Sequence, residues 1–199
     1  FLASGLLELA REKMADLIVH LAPFAEAGIP VVGLEPSCLL TLRDEALAMN
    51  LGEQAIRVAE NAVLFEEFLE QAMASGDLDL LRAQLTDARQ PFLVHAHCHQ
   101  KAMGADKSIA KVLGMIPNAD VEMIESSCCG MAGAFGYEVE HITASRQMAE
   151  VSLLPTIRKR PDSLVIADGT SCRHQIQDHD TARAHHVATV IDRHLSHAP

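Results

Sequence analysis

The sequence predicts an α/β fold with mostly parallel, Rossmann-like sheets flanked by helices, on three observations. Short apolar, β-branched runs alternate with longer stretches of helical periodicity. Pro, Gly, Asp or Ser flank each short run. The stretches between the runs are long enough to serve as the crossover helices that parallel strands require.

Taken in order, an amphipathic helix is expected over about residues 4–22, then a first strand at Ile29–Leu34, IPVVGL. The stretch GEQAIRVAENAVLFEEFLEQAMASGDLDLLRAQL places Ile56, Ala59, Val63 and Leu64 at helical spacing, with Gly76 as a stop. It predicts a long helix and a shorter one, which divide the chain near residues 50–90. The second strand is Phe92–His97 (FLVHAH), followed by a crossover helix in KSIAKVLGMIP. Val121–Glu125 (VEMIE) is the third strand, and YEVEHITASRQMAEVSLLPTIRKR the helix after it, ended or kinked at Pro155. Leu164–Asp168 (LVIAD) is the fourth strand, and HHVATVIDRHLSHA forms a last helix. One internal echo stands out: PVVGLEPSCLLTL and LVIADGTSCRHQI both read as strand, short turn, Ser-Cys, helix.

Composition narrows the function. The 199 residues are 49% apolar and 22% charged, a globular balance. A formal charge of −11 opposes binding to nucleic acid, whose phosphates need a positive surface. Aromatic residues make up 4%, with no Trp, so base-stacking platforms and aromatic membrane belts are disfavoured. No apolar run reaches the roughly 18 residues of a membrane span. The opening FLASGLLELAREK starts at Phe1 and is amphipathic rather than signal-like, which reads as a piece of something longer.

The cysteines carry the strongest signal. They are Cys38, Cys98, Cys128, Cys129 and Cys172, an odd set that does not suit a secreted disulfide framework. Adjacent α-carbons lie about 3.8 Å apart, below the roughly 4.4–6.8 Å of an unstrained disulfide, so Cys128 and Cys129 are poor structural partners. A reducing, cytoplasmic setting fits better. Each cysteine falls a few residues beyond the carboxyl end of an expected strand, the edge at which parallel sheets bind ligands. Thiolates suit soft metals, and they need positive potential nearby. Cys38 and Cys172 are each expected to open a helix, whose free N–H groups supply that potential.

Around the pair, ESSCCGMAGAFGYE places Gly130, Gly133 and Gly136 at every third position. Such glycines let backbone N–H groups turn towards sulfur, or simply allow close helix–strand packing. In HAHCHQKA, His95, His97 and His99 surround Cys98; they are metal ligands, groups supporting the ligands, or satisfied core and edge residues. No CxxC, Walker loop, nucleophile elbow or HExxH occurs, which disfavours a zinc finger and the common hydrolases.

Together, SSCCGMAGAFGYE, HAHCHQKA and IADGTSCRHQI resemble the CCG-type cysteine-rich domain, with its pattern C…CCG…CxxC, usually in tandem. That repeat belongs to the iron–sulfur subunits of glycolate oxidase and anaerobic glycerol-3-phosphate dehydrogenase, and to heterodisulfide reductase. It also occurs in the C-terminal part of FAD-linked oxidases of the D-lactate dehydrogenase kind. The resemblance spans most of residues 25–195. It implies pseudo-repeated units: residues 1–50 as the tail of a first repeat, 51–90 as a helical connection and 91–199 as a complete second repeat. Cys98, Cys128, Cys129 and Cys172 match one repeat, while Cys38 matches the last cysteine of the preceding one. Gly169 stands where the pattern has the first cysteine of CxxC. Four thiolates remain, enough for an ordinary [4Fe–4S] cluster, with Gly130 and Gly133 shaping the backbone around it.

The resemblance therefore implies an iron–sulfur electron-transfer module of a flavin-linked 2-hydroxyacid dehydrogenase of the D-lactate or glycolate type. Its FAD and a further iron–sulfur segment would lie on a domain or subunit outside this chain, and the chain alone would not oxidise substrate. The expected location is cytoplasmic, either free or peripheral at the inner membrane. An alternative is a Zn²⁺-holding scaffold without redox chemistry, with His97 or His99 as possible fourth ligands, while Cys38 is a metal-ligand candidate expected to stand apart from that group. A third reading, a thiol enzyme with a reducible Cys128–Cys129 disulfide, leaves Cys98 and Cys172 without a role.

Overall fold

The computed structural model describes residues 1–179 and 182–196. The end of the expected last helix, at 197–198, lies outside them. The chain is α/β, with parallel strands flanked by helices, in two compact units: Phe1–Phe65 and Glu66–Pro199.

In the first unit, α1 (Leu7–Glu26) turns Ala10, Ile18, Ala22 and Ala25 inward along one face. It runs past the expected end at residue 22, because Pro23 removes only one donor close to the terminus. Gly28, at φ 71°, then closes the helix by donating its N–H to Ala25 O at 3.0 Å. β1 (Val31–Gly33) leads into α2 (Pro36–Arg43), which begins on a proline, the residue whose missing N–H costs least there. After α3 (Glu45–Ala48) and α4 (Glu53–Asn61) comes β2 (Ala62–Leu64), parallel to β1 with Val31 opposite Ala62 and Gly33 opposite Leu64.

β2 corrects the expected long helix. Ile56, placed on the buried face by helical spacing, is 51% exposed, whereas α4 buries Ala55 and Val58. The pairing of Ala62–Leu64 with β1 outweighs local helix preference, and helices on both sides leave no turn residue to mark the strand.

In the second unit, α5 (Phe65–Ser75) and α6 (Asp79–Arg82) precede β3 (Phe92–Val94). Then follow α7 (Cys98–Ala102), α8 (Lys107–Leu113), β4 (Val121–Met123), α9 (Ile142–Ala149), α10 (Leu153–Arg158) and β5 (Leu164–Ile166). The unit ends with α11 (Thr170–His179) and α12 (Val187–His194). The sheet order is β4-β3-β5, all parallel, with Val94 level with both Met123 and Ile166. The three carboxyl ends therefore line up at one edge. β3, in the middle, is buried on both faces, which is why FLV carries no polar residue.

The strands are shorter than expected because the chain leaves the ladder early. His95 still donates to Ile166 O at 2.8 Å and Ile124 to Val94 O at 2.8 Å, after which the backbone turns to build the edge. The single helix expected after the third strand is α9 and α10 with a break between them. Pro155 is the third residue of α10, so it sits in a first turn rather than ending or kinking a helix.

A buried polar network ties this edge together. Gln100 Nε2 donates to Glu66 Oε1 and lies 3.5 Å from Asp168 Oδ2, while Gln100 Oε1 accepts from the His97 N–H at 2.8 Å. Asp168 Oδ1 accepts from Val187 N–H at 2.9 Å and lies 3.6 Å from His186 Nε2. α5, α7, β5 and α12 are thus joined through side chains that are all but inaccessible to water.

Burial, then the nearby Asp168 carboxylate, pushes Glu66 up to about 8 from 4.5. Asp168 is raised as well, chiefly by burial. A raised acid keeps its proton in the folded state after the unfolded chain has lost it. The contribution of Glu66 to stability is therefore fullest below about 4.5, falls as pH rises through the interval to about 8, and levels off above. Glu66→Gln should flatten that fall by roughly 1.4 kcal/mol for each unit of displacement removed. Urea midpoints at a series of pH values check it. Identical slopes for both proteins would contradict the assignment.

Candidate metal centre

Cys98 follows Val94 of β3, the Cys128–Cys129 pair follows Met123 of β4, and Cys172 follows Ile166 of β5. Because those three strand ends are level, the four sulfurs arrive at one edge. Cys129 and Cys172 are buried, with sulfurs 3.4 Å apart. Cys128 is in S–H···S contact with both Cys129 and Cys98. The chain of contacts runs from buried Cys172 through Cys129 and half-buried Cys128 to Cys98 at the surface.

Protons divide unevenly along that chain. Cys128 is held well below a normal thiol by hydrogen bonds from Cys129 and Cys98, with further help from the backbone N–H groups of Gly130 and Ala132. Cys172 is lowered by its contact with Cys129 and by His95 and His97. Cys129 and Cys98 are raised, first by donating to Cys128 and then by burial or a second sulfur. The four sulfurs share protons along this line, and a soft metal would take the place of those shared protons.

The loop after the pair explains the low value at Cys128. Gly130 (φ 96°), Ala132 (φ 39°) and Gly133 (φ 67°) all take left-handed backbone, which folds the chain back over its own sulfurs. The Gly130 N–H reaches Cys128 Sγ at 3.2 Å, and the Met131 N–H favours negative charge on Cys129. This is a nest of N–H groups around sulfur. Gly130 is also required sterically, since a Cβ there would lie 2.1 Å from Ser145 O.

The histidines separate by role. His97, at the N-cap of α7, accepts the His99 N–H on Nδ1 at 3.2 Å and is 8% exposed. His99 is the second residue of α7 and half-buried. His95 joins the thiols: one of its ring nitrogens and the sulfurs of Cys129 and Cys172 all lie within 4.8 Å of one another. Cys38 belongs to the first unit, where it is exposed as the third residue of α2. Cys172 is likewise third in α11, so both halves of the internal echo place a cysteine in the first turn of the helix after a strand.

Three supporting residues were not singled out from the sequence. Gln175 donates to Cys129 O at 2.9 Å and to Ser145 O at 3.0 Å, fastening the glycine loop to α9 and α11. Lys101 donates to Ser126 O and, at 3.4 Å, to Ser127 O, which places an ammonium beside the sulfurs of Cys172, Cys98 and Cys128. Burial lowers Lys101, and the nearby sulfurs and Asp106 oppose the lowering. Spacing could have suggested Lys101, one helical step after Cys98, but Gln175 and Ser145 carry no sequence signal of their own.

The donor set fits a metal. Four sulfurs, a nest of N–H groups and a buried, unpartnered nitrogen of His95 are an arrangement that simple core packing does not require.

No family model matches the chain. It is 32% identical, over 166 residues and 83% of its length, to D-2-hydroxyglutarate dehydrogenase of Pantoea ananatis. To the enzyme of the same name from Haemophilus influenzae it is 30% identical over 164 residues, 78% of its length. It is also 26% identical, over 200 residues and 98% of its length, to one subunit of the anaerobic glycerol-3-phosphate dehydrogenase of Escherichia coli. The match takes in 15% of each of the first two proteins and 48% of the third. The chain is thus related to a segment of two kinds of dehydrogenase protein. Among the described residues, no helix is long and apolar enough to cross a membrane.

Gly130→Ala should unfold the loop that holds the site. Left-handed backbone and overlap with a carbonyl together should cost on the order of 1–3 kcal/mol or more. Thermal melts measure this, and a stability unchanged from wild type would show that the loop relaxes freely.

Proposed function

We propose that this chain is the iron–sulfur electron-transfer module of a flavin-linked 2-hydroxyacid dehydrogenase. Cys98, Cys128, Cys129 and Cys172 would hold a [4Fe–4S] cluster, and FAD would sit on a domain or subunit outside this chain. The observation that carries the reading is the convergence of four cysteines, from three adjacent parallel strands, beneath a nest of N–H groups. Relatives that are dehydrogenases by name support it.

A bound cluster would supply one-electron transfer, passing electrons singly from a flavin reduced by two. The protein's own groups do the rest. The N–H groups of Gly130 and Ala132 stabilise negative sulfur at Cys128, and Lys101 adds a fixed positive charge. Cys172 and Cys129 sit in the apolar cluster of Leu93, Ile124, Leu153 and Val165, which keeps water from that end. Cys98 and Cys128 form the accessible end, the side at which an electron partner would approach.

A zinc-holding scaffold is the second reading. His95 with Cys129 and Cys172 supports it, since three donors within 4.8 Å approach a mixed N/S site. Visible absorption with metal analysis separates the two: broad charge-transfer bands and iron, or zinc with none.

Anaerobic reconstitution with iron and sulfide should load about four irons per chain. Cys129→Ser should lose most of that iron, because a hydroxyl is a poor ligand for a soft metal. Cys38→Ser should retain it. Equal loss in both variants would point to a site shared with Cys38, and retention in both would remove the cluster reading.

A further inference from the structure

His95 is the one member of the HAHCH segment whose ring is grouped with the thiols, and its surroundings favour one tautomer. The side chain is 1% exposed. Nδ1 lies 2.8 Å from Ser126 Oγ, while Nε2 is buried with no hydrogen-bond partner among the described residues. A buried, unpartnered ring nitrogen is costly, and the sulfurs of Cys129 and Cys172 lie within 4.8 Å of a nitrogen of this ring.

Lys101 settles which nitrogen holds the proton. Its ammonium donates to Ser126 O and lies 3.4 Å from Ser126 Oγ. With an ammonium facing its oxygen, the Ser126 hydroxyl turns its own hydrogen towards His95 Nδ1. Nδ1 is then the acceptor, and the ring proton resides on Nε2. The opposite tautomer would aim a lone pair at negative sulfur, which is repulsive.

We infer that His95, held as the Nε2–H tautomer by Ser126, is a positioning residue that donates this N–H to the Cys172 ligand sulfur. It thereby stabilises the more electron-rich state of the centre. This rests on the cluster reading given above. Hydrogen bonds to ligand sulfur disperse negative charge, and reduction adds negative charge, so each such bond raises the reduction potential. His95 is therefore a setting of potential, built into the end of β3 and independent of the four ligands. The strand fixes its backbone, since the His95 N–H donates to Ile166 O at 2.8 Å, and burial with the bond to Ser126 Oγ holds the ring.

The test is a redox titration of the anaerobically reconstituted full chain, with iron content measured in parallel. His95→Leu should hold as much iron as wild type and titrate at a lower potential. A tenfold loss in stabilisation of the reduced state reads as about 59 mV for a one-electron couple. His95→Gln, whose amide N–H has similar reach, should recover most of the shift. Ser126→Ala leaves the ring in place but frees its tautomer, and should move the potential in the same direction. It also covers the case in which His95→Leu fails to fold. Full iron with an unmoved potential in either His95→Leu or Ser126→Ala would overturn the inference and leave the cluster reading standing. A nitrogen coupling of ligand strength in pulsed EPR of wild type, with iron lost in His95→Leu, would overturn it in favour of direct ligation. Wild type that takes up no iron would overturn the cluster reading itself, and the inference with it.

Discussion

Everything at this edge depends on bringing sulfur close to sulfur. Cys129 and Cys172 lie 3.4 Å apart inside an apolar cluster, and two more thiols extend the line to the surface. Such packing is unfavourable if each thiol ionises independently, because like charges repel most where water is absent. Sharing protons between neighbouring sulfurs is how the protein alone tolerates it, and N–H groups from the glycine loop and the ammonium of Lys101 offset negative charge that remains. The same provisions suit a set of soft-metal ligands, which explains why so much of the surrounding structure is devoted to donors.

The fold serves that closeness through register. Val94, Met123 and Ile166 end level with one another, so the segments after them need only a few residues to converge. Behind them, Gln100 joins the start of α7 to Glu66 and Asp168, and Gln175 joins α11 to the glycine loop. Each link is a buried amide with two donors and an acceptor, able to hold carboxylates and carbonyls at once. The site is therefore set by the sheet and locked by two glutamines, each within three residues of a cysteine in sequence and reaching across to a different element.

What could be read beforehand follows the same division. The strand positions were legible because LVI, FLV and VEM are short apolar runs with turn residues around them. So was the placement of every cysteine just beyond a strand. β2 was not, since AVL between two helices has no local marker and exists only through pairing with β1. The three histidines illustrate the limit best. At alternate positions around Cys98 they look equivalent, yet His97 caps a helix and His95 enters the thiol group. The difference arises from where the strand stops, at Val94, which periodicity over so few residues cannot locate.

Gly169 shows how a departure from a cysteine pattern can be structural rather than a simple loss. A Cβ at that position would lie 2.6 Å from His97 Cδ2 and 3.1 Å from Cys172 Sγ. His97 cannot readily yield, because Nδ1 holds the His99 N–H and its backbone N–H is bound by Gln100. Gln100 in turn is engaged by Glu66. A fifth thiolate at 169 would therefore have to displace the cap of α7 and, through it, the buried carboxylate network. The absent cysteine, the N-cap histidine and the raised acidity range of Glu66 are parts of one arrangement, in which the imidazole of His97 occupies the space that a further sulfur would need.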